Sequence, residues 1–154
     1  MGDRGVEALS AEVVDAAFHL HRRLGPGFLE SVYESVLAAT LERRGLRVQR
    51  QVILEFDFDD MHFDEGLRLD LLVEGVLVVE LKSSERLAPV HPKQLLTYLR
   101  LLNLPLGLLI NFGAPTFKEG VRRIVNHHTD FATSRLRVNQ RPRERSPGRR
   151  EGEA

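Results

Sequence analysis

Residues 67–82 read LRLDLLVEGVLVVELK, two apolar runs, Leu67–Val73 and Val76–Leu81, on either side of Glu74-Gly75. Glu-Gly between such runs signals a hairpin, and runs this apolar suit strands covered on both faces. Asp70 sits inside the first run, and Glu80-Leu81-Lys82 closes the second. Side chains alternate along a strand, so Glu80 and Lys82 share a face while Leu81 points into the opposite layer. A carboxylate at the end of so apolar a segment costs desolvation unless a cation compensates. Taken as a pair, Glu80 and Lys82 need only mark where the strand emerges into water. The hairpin changes that reading, because it brings Asp70 back alongside them.

The turn decides whether the two acids meet. A strict two-residue turn at Glu74-Gly75 would pair Val73 with Val76 and Asp70 with Val79, leaving Asp70 on the face opposite Glu80. A three-residue connection or a bulge restores the parity, and one of these is expected.

Upstream, Val48, Arg50, Val52, Leu54, Phe56 and Phe58 alternate with polar neighbours and read as one long strand, followed by a short segment around Met61–Phe63. Before it lie two helices. The first is expected to be capped by Ser10, to carry Val13, Val14, Ala17, Phe18, Leu20 and Leu24, and to stop at Gly25-Pro26-Gly27. The second is expected from about Phe28 to Arg44, with Leu29, Val32, Tyr33, Val36, Leu37 and Leu41 along one face. Downstream, Pro89–Pro92 opens a helix bearing Leu95, Leu96, Leu99 and Leu102. Leu106–Phe112 reads as a buried strand, and Phe117, Val121, Ile124 and Val125 suggest a final helix. This order describes one α/β domain over residues 10–130, with a loose leader at 1–9. Residues 131–154, rich in Arg, Pro, Gly and Glu, are expected to be a disordered basic tail.

A chain of 154 residues, 42% hydrophobic and 29% charged, is ordinary for one soluble domain. The absence of cysteine excludes disulfides and thiolate-bound metal, and it fits a reducing cytoplasm. No signal-like N-terminus or membrane-length apolar run is present, so neither export nor a membrane partner is expected. Net charge is zero but uneven: from Ala132 onward seven Arg face three Glu, or +4, which leaves −4 on the rest. That balance disfavours tight non-specific phosphate binding and leaves an acidic metal site open.

Hydrolysing a phosphodiester requires neutralised phosphate charge and a partly deprotonated water, both of which Mg²⁺ or Mn²⁺ can provide. Such hard cations take carboxylate and carbonyl oxygens, and a nearby ammonium can stabilise developing negative charge. Asp70, Glu80 and Lys82 form the smallest such set. Gln94 and Tyr98, spaced i, i+4, share a helical face distinct from the leucine stripe and could reach a phosphate or orient a ligand. Glu30 falls in the first turn of its helix, where the dipole alone favours a carboxylate by ~0.3–1 kcal/mol. His19 and His21, two apart, cannot form an i, i+4 zinc pair, and Gly25-Pro26-Gly27 lacks the ending of a phosphate loop.

Taken together, these residues resemble the GxxExxY family of the PD-(D/E)xK, or restriction-endonuclease-like, nucleases. Gly27, Glu30 and Tyr33 match the naming motif. Asp70, Glu80 and Lys82 match the superfamily signature, with Leu69 in place of its proline, and Gln94 and Tyr98 resemble a QxxxY motif. The match spans about Val13 to Val125. The resemblance implies an α-β-β-β-α-β core with a mixed sheet flanked by helices and a Mg²⁺- or Mn²⁺-dependent site. Asp70 and Glu80 would be metal ligands, with the Leu81 carbonyl a third, and Lys82 would assist the attacking water. Glu30 would be a secondary ligand or base, and Gln94, Tyr98 and Tyr33 would face substrate. The expected activity is hydrolysis of nucleic acid, DNA in the first instance, with a homodimer compatible but not required. The alternative is a catalytically silent nucleic-acid- or protein-binding module on the same fold. The intact acidic pair argues against it, since those carboxylates repel phosphate.

Overall fold

The structure, a computed structural model, describes residues 5–127 and a separate strand, Leu136–Arg141. Helix α1 (Val6–Leu24) buries Leu9, Val13, Ala16, Ala17 and Leu20 on one face, and α2 (Glu30–Arg43) buries Tyr33, Leu37, Ala38 and Leu41. Both lie on one side of a sheet built from β1 (Val48–Phe58), β2 (Met61–Val73), β3 (Leu77–Lys82) and β4 (Leu106–Asn111). Helix α3 (Val90–Leu102) connects β3 to the parallel β4 and packs Leu95, Tyr98 and Leu99 on the other side. The order α2-β1-β2-β3-α3-β4 is the expected α-β-β-β-α-β core.

Helix α1 starts at Val6, and Ser10 is buried inside it rather than capping it. Residues 6–9, expected in a loose leader, therefore belong to α1, because Leu9 is drawn into the core. The segment around Met61 is not separate. β2 runs unbroken from residue 61, with a register shift opposite Leu54–Phe56. The expected last helix is instead a single turn, α4 (Phe117–Gly120), followed by β5 (Val121–Val125) antiparallel to β4. Helical spacing and β-branching compete in this segment. The wholly buried β4 needs partners for its free edge, and Val121, Ile124 and Val125 lose little by extending.

At the opposite edge, Leu136–Arg141 forms β6 against β1, within a stretch whose composition suggests disorder. The sheet order is β5-β4-β3-β2-β1-β6. The remainder of the expected basic tail lies outside the described residues. Among the described residues, no helix is long and apolar enough to cross a membrane.

The β2–β3 connection has three residues. Val73 pairs with Leu77, Leu72 with Val78 and Leu71 with Val79, a register that sets Asp70 opposite Glu80. Glu74 and Gly75 both take positive φ, 52° and 67°, and the Val76 amide donates to the Val73 carbonyl, so Val76 is the extra residue. A left-handed Glu is uncommon and needs outside support. Here the Glu74 amide donates to the Arg47 carbonyl at 2.8 Å, and the Glu74 carboxylate accepts from the Arg47 amide at 2.6 Å.

Candidate active site

Where the acids meet, the ladder opens. Pairing between β2 and β3 ends at Leu71–Val79, and side chains take up the backbone groups left over. The Asp70 amide donates to Glu80 Oε1 at 3.1 Å, and the Leu81 amide donates to Asp70 Oδ2 at 2.8 Å. On the other flank, β1 pairs Arg50 with Leu71 and Val52 with Leu69, skipping Gln51 and Asp70 between them. The layers exchange at that point. Leu71 packs under α1 and α2, whereas Val52 and Leu69 pack with α3. Gln51 accommodates the crossover with φ 50°. A non-glycine residue held in this region costs of order 1–3 kcal/mol and persists only where its surroundings fix it. Gln51 Nε2 donates to Glu34 Oε1 and lies 3.4 Å from Asp70 Oδ1. The skipped pair thus leaves the ladder with its side chains directed at the site.

Asp70 opens onto two adjoining clefts. One, of about 490 Å³, is lined by Glu30, Arg68, Asp70, Glu80, Lys82, Gln94 and Tyr98, among others. The other, of about 520 Å³, shares Glu30, Arg68 and Asp70 and adds Glu34, Arg50 and Gln51. Six of the residues singled out from sequence therefore line one cavity. Glu80 is buried at 8% exposure. Burial first, and then the charge of Asp70, push its carboxyl well above the usual carboxylate range, while Lys82 pulls it back. Burial and the charges of Glu80 and Asp70 push the Tyr98 hydroxyl up to about 12, against a hydrogen bond from Gln94. At neutral pH Tyr98 is therefore a hydrogen-bond donor.

Two of the predicted residues, Tyr33 and Leu81, do not line that first cavity. Tyr33 is fully buried and stacks on Phe112 at 4.4 Å between ring centroids. Its hydroxyl donates to the Gly25 carbonyl and accepts from the Phe28 amide at 3.3 Å. The expected substrate contact is not available to it; its role is to hold the loop that leads into Glu30. Ser83, just after Lys82, ties the same loop from the other side by donating to the Phe28 carbonyl at 2.6 Å. The Leu81 side chain lies in the core, and its amide is bound to Asp70. On a strand, the amide and carbonyl of one residue leave on the same side, so the Leu81 carbonyl also faces β2.

The sequence reading missed Glu34, Arg50, Gln51 and Arg68. Glu34 stands one turn after Glu30, a spacing that could have been noticed. It is buried at 7% exposure and receives Arg50 Nη2 at 2.9 Å. Also missed was a group on the β1–β2 hairpin, where Glu55 and Asp64 each approach His62 Nε2 at 2.9 Å and Asp57 approaches its Nδ1. Glu55, His62 and Asp64 have ligand atoms close enough to share an ion. A protonated imidazole accounts for the same geometry. Hydrogen bonding to Asp57 leads in raising the His62 pKa.

The donor set at Asp70 suits a hard divalent cation. All its atoms are oxygens, and burial together with the neighbouring Asp70 charge disfavours a bare Glu80 carboxylate, a penalty a cation between the two acids would relieve. The family model of the PD-(D/E)XK nuclease superfamily matches residues 7–124. No curated protein and no solved structure matches the chain.

Proposed function

Because the chain belongs to the PD-(D/E)XK nuclease superfamily, we propose that it is a metal-dependent nuclease of the GxxExxY type, acting on DNA. The observation that carries this reading is the three-residue turn, which sets Asp70 across from Glu80 with Lys82 on the same cleft wall. A binding module would have no use for a half-buried carboxylate set against a buried one at the expense of desolvation. Asp70 and Glu80 would hold Mg²⁺ or Mn²⁺, with the Leu81 carbonyl as a third oxygen. Bound there, the ion would neutralise phosphate charge and make a water acidic enough to attack at neutral pH.

The remaining steps fall to the chain itself. The Lys82 ammonium orients the attacking water and offsets negative charge as it develops on the phosphate. Glu30, at the N-terminus of α2 and on the walls of both clefts, accepts the proton of that water or extends the ligand set. Gln94 and the protonated Tyr98 donate to the phosphate from α3. Tyr33 and Gln51 are positioning residues, for Glu30 and Asp70 respectively.

Incubation of the purified chain with labelled DNA and RNA, single- and double-stranded, in Mg²⁺ or Mn²⁺ tests the reading. Cleavage abolished by chelation, by Asp70→Ala and by Lys82→Ala, with circular dichroism unchanged, supports it. Binding without cleavage, equal in both variants, would favour a silent module.

A further inference from the structure

The two clefts meet at three side chains, Glu30, Arg68 and Asp70, and only one of these is a cation. A nucleic-acid strand passing from one cleft to the other must bring its phosphate past this point. Most of the surrounding charge is acidic. The first cleft carries Glu30, Glu65, Asp70 and Glu80 against Lys82 and Arg68. In the second, Arg50 is already committed to Glu34, leaving Arg68 to face Glu30 and Asp70.

Arg68 differs from Arg47, just before β1, and from Arg50, within it. Arg47 is paired with Glu74 and Arg50 with Glu34. Arg68 is exposed, and among the described residues no ion pair or hydrogen bond holds its guanidinium. Its cross-strand partner is Ile53, which offers no counter-charge. Its charge is nevertheless felt across the cleft, where it opposes the rise in the Tyr98 pKa. A planar guanidinium left without a protein partner beside an acidic pair is well suited to phosphate, whose oxygens it can grip by two hydrogen bonds.

We propose that Arg68 is the phosphate-binding residue at the junction of the two clefts, gripping the non-bridging oxygens of a substrate phosphate as the strand passes Asp70. The proposal rests on the nuclease reading above and adds to it a path for the substrate. Lys82, on the wall of the first cleft alone, serves the chemistry, and Arg68 serves placement.

The test uses Arg68→Ala, Arg68→Gln and Arg68→Lys in the full chain. Fluorescence anisotropy with a short fluorescein-labelled DNA duplex, in Ca²⁺ to suppress cleavage, measures binding across a salt series. The expected result is weaker binding by roughly 10–100-fold in Ala and Gln, the range for one charge-assisted bidentate contact. The slope of log K against log salt should flatten by about 0.9, one phosphate's share. Lys should restore the slope but only part of the affinity. In Mg²⁺ the loss should fall on KM more than on kcat, and calorimetric Mn²⁺ affinity should be unweakened.

Variants that bind duplex with wild-type affinity and slope, in a chain that cleaves DNA, would overturn the role of Arg68 and leave the nuclease reading standing. Loss of Mn²⁺ affinity in Arg68→Gln would also overturn it, since the side chain would then be organising the carboxylates. A wild-type chain that neither binds nor cleaves any oligonucleotide would overturn the nuclease reading first and this proposal with it.

Discussion

Asparagine and alanine at position 70 should separate the two things Asp70 does. As a hydrogen-bond acceptor it satisfies the Leu81 amide at 2.8 Å, where the β2–β3 ladder has opened. As a charge it sits against the buried Glu80 carboxyl and helps to push its pKa up. Asp70→Asn keeps an oxygen for the amide and removes the charge. Asp70→Ala removes both and strands a buried N–H, at a cost of about 1–3 kcal/mol. Without divalent cation at neutral pH, the Asn variant should be at least as stable as wild type, and the Ala variant less stable than Asn by that amount. For a chain of this length the gap corresponds to about 2–12 °C in Tm.

Metal should reverse the ranking. At a hundredfold excess over Kd, Mn²⁺ should stabilise wild type by about 2.7 kcal/mol, or roughly 5–11 °C, and neither variant comparably. The pH dependence has a definite sign. Folded Glu80 holds its proton more tightly than unfolded, so metal-free stability falls as pH rises from the usual carboxylate range through the folded pKa. Scanning calorimetry with and without MnCl₂ reads all of these quantities. An Asn variant with the full wild-type Mn²⁺ shift would refute the reasoning, because the site would then not depend on the Asp70 charge.

Three further outcomes are expected away from Asp70 and Glu80. Asn111, 2% exposed, accepts from the Ser84 and Gly113 amides at 3.1 Å each and donates to the Ser84 carbonyl at 2.8 Å. Asn111→Ala should therefore cost about 2–4 kcal/mol in urea unfolding, a loss below 0.5 kcal/mol being the contrary result (~1–3 kcal/mol per buried unpaired group). Gly113→Ala should disturb the same clamp, since its Cβ would lie 2.4 Å from the Ser84 carbonyl oxygen. His62, held by Asp57, Glu55 and Asp64, should titrate above 6.5 by NMR, and Asp57→Asn should bring it down. The stability it lends is present below its unfolded pKa and lost as pH rises through the folded one. A His62 pKa at or below 6.5 would show that the carboxylates do not hold an imidazolium.

The residues that carry the core announce themselves. The apolar runs of β2, β3 and β4 have no other place to go, and the parity of Asp70 and Glu80 could be reduced to a choice of turn before any coordinates. Less legible was whatever depends on a partner strand. The Val121–Val125 segment reads as helix until the unpaired edge of β4 is known. The alternation of β1 reads as one face, whereas the pair Gln51–Asp70 leaves the ladder and the strands change layers there. That crossover, not any local motif, brings Gln51, Glu34 and Arg50 to Asp70. No motif or spacing in the sequence marks Arg68, an arginine flanked by Leu67 and Leu69. Its place between two clefts exists only in three dimensions. Tyr33 shows the opposite error, a motif residue read as facing substrate whose hydroxyl secures the loop before Glu30.

The central claim is that Asp70 and Glu80 share one divalent cation. Anomalous diffraction from crystals soaked in MnCl₂ addresses it directly. A manganese peak bridging these two carboxylates, within about 2–2.5 Å of each, is the predicted result. A peak only among Glu55, His62 and Asp64, or none while Asp70 and Glu80 point apart, would contradict the account.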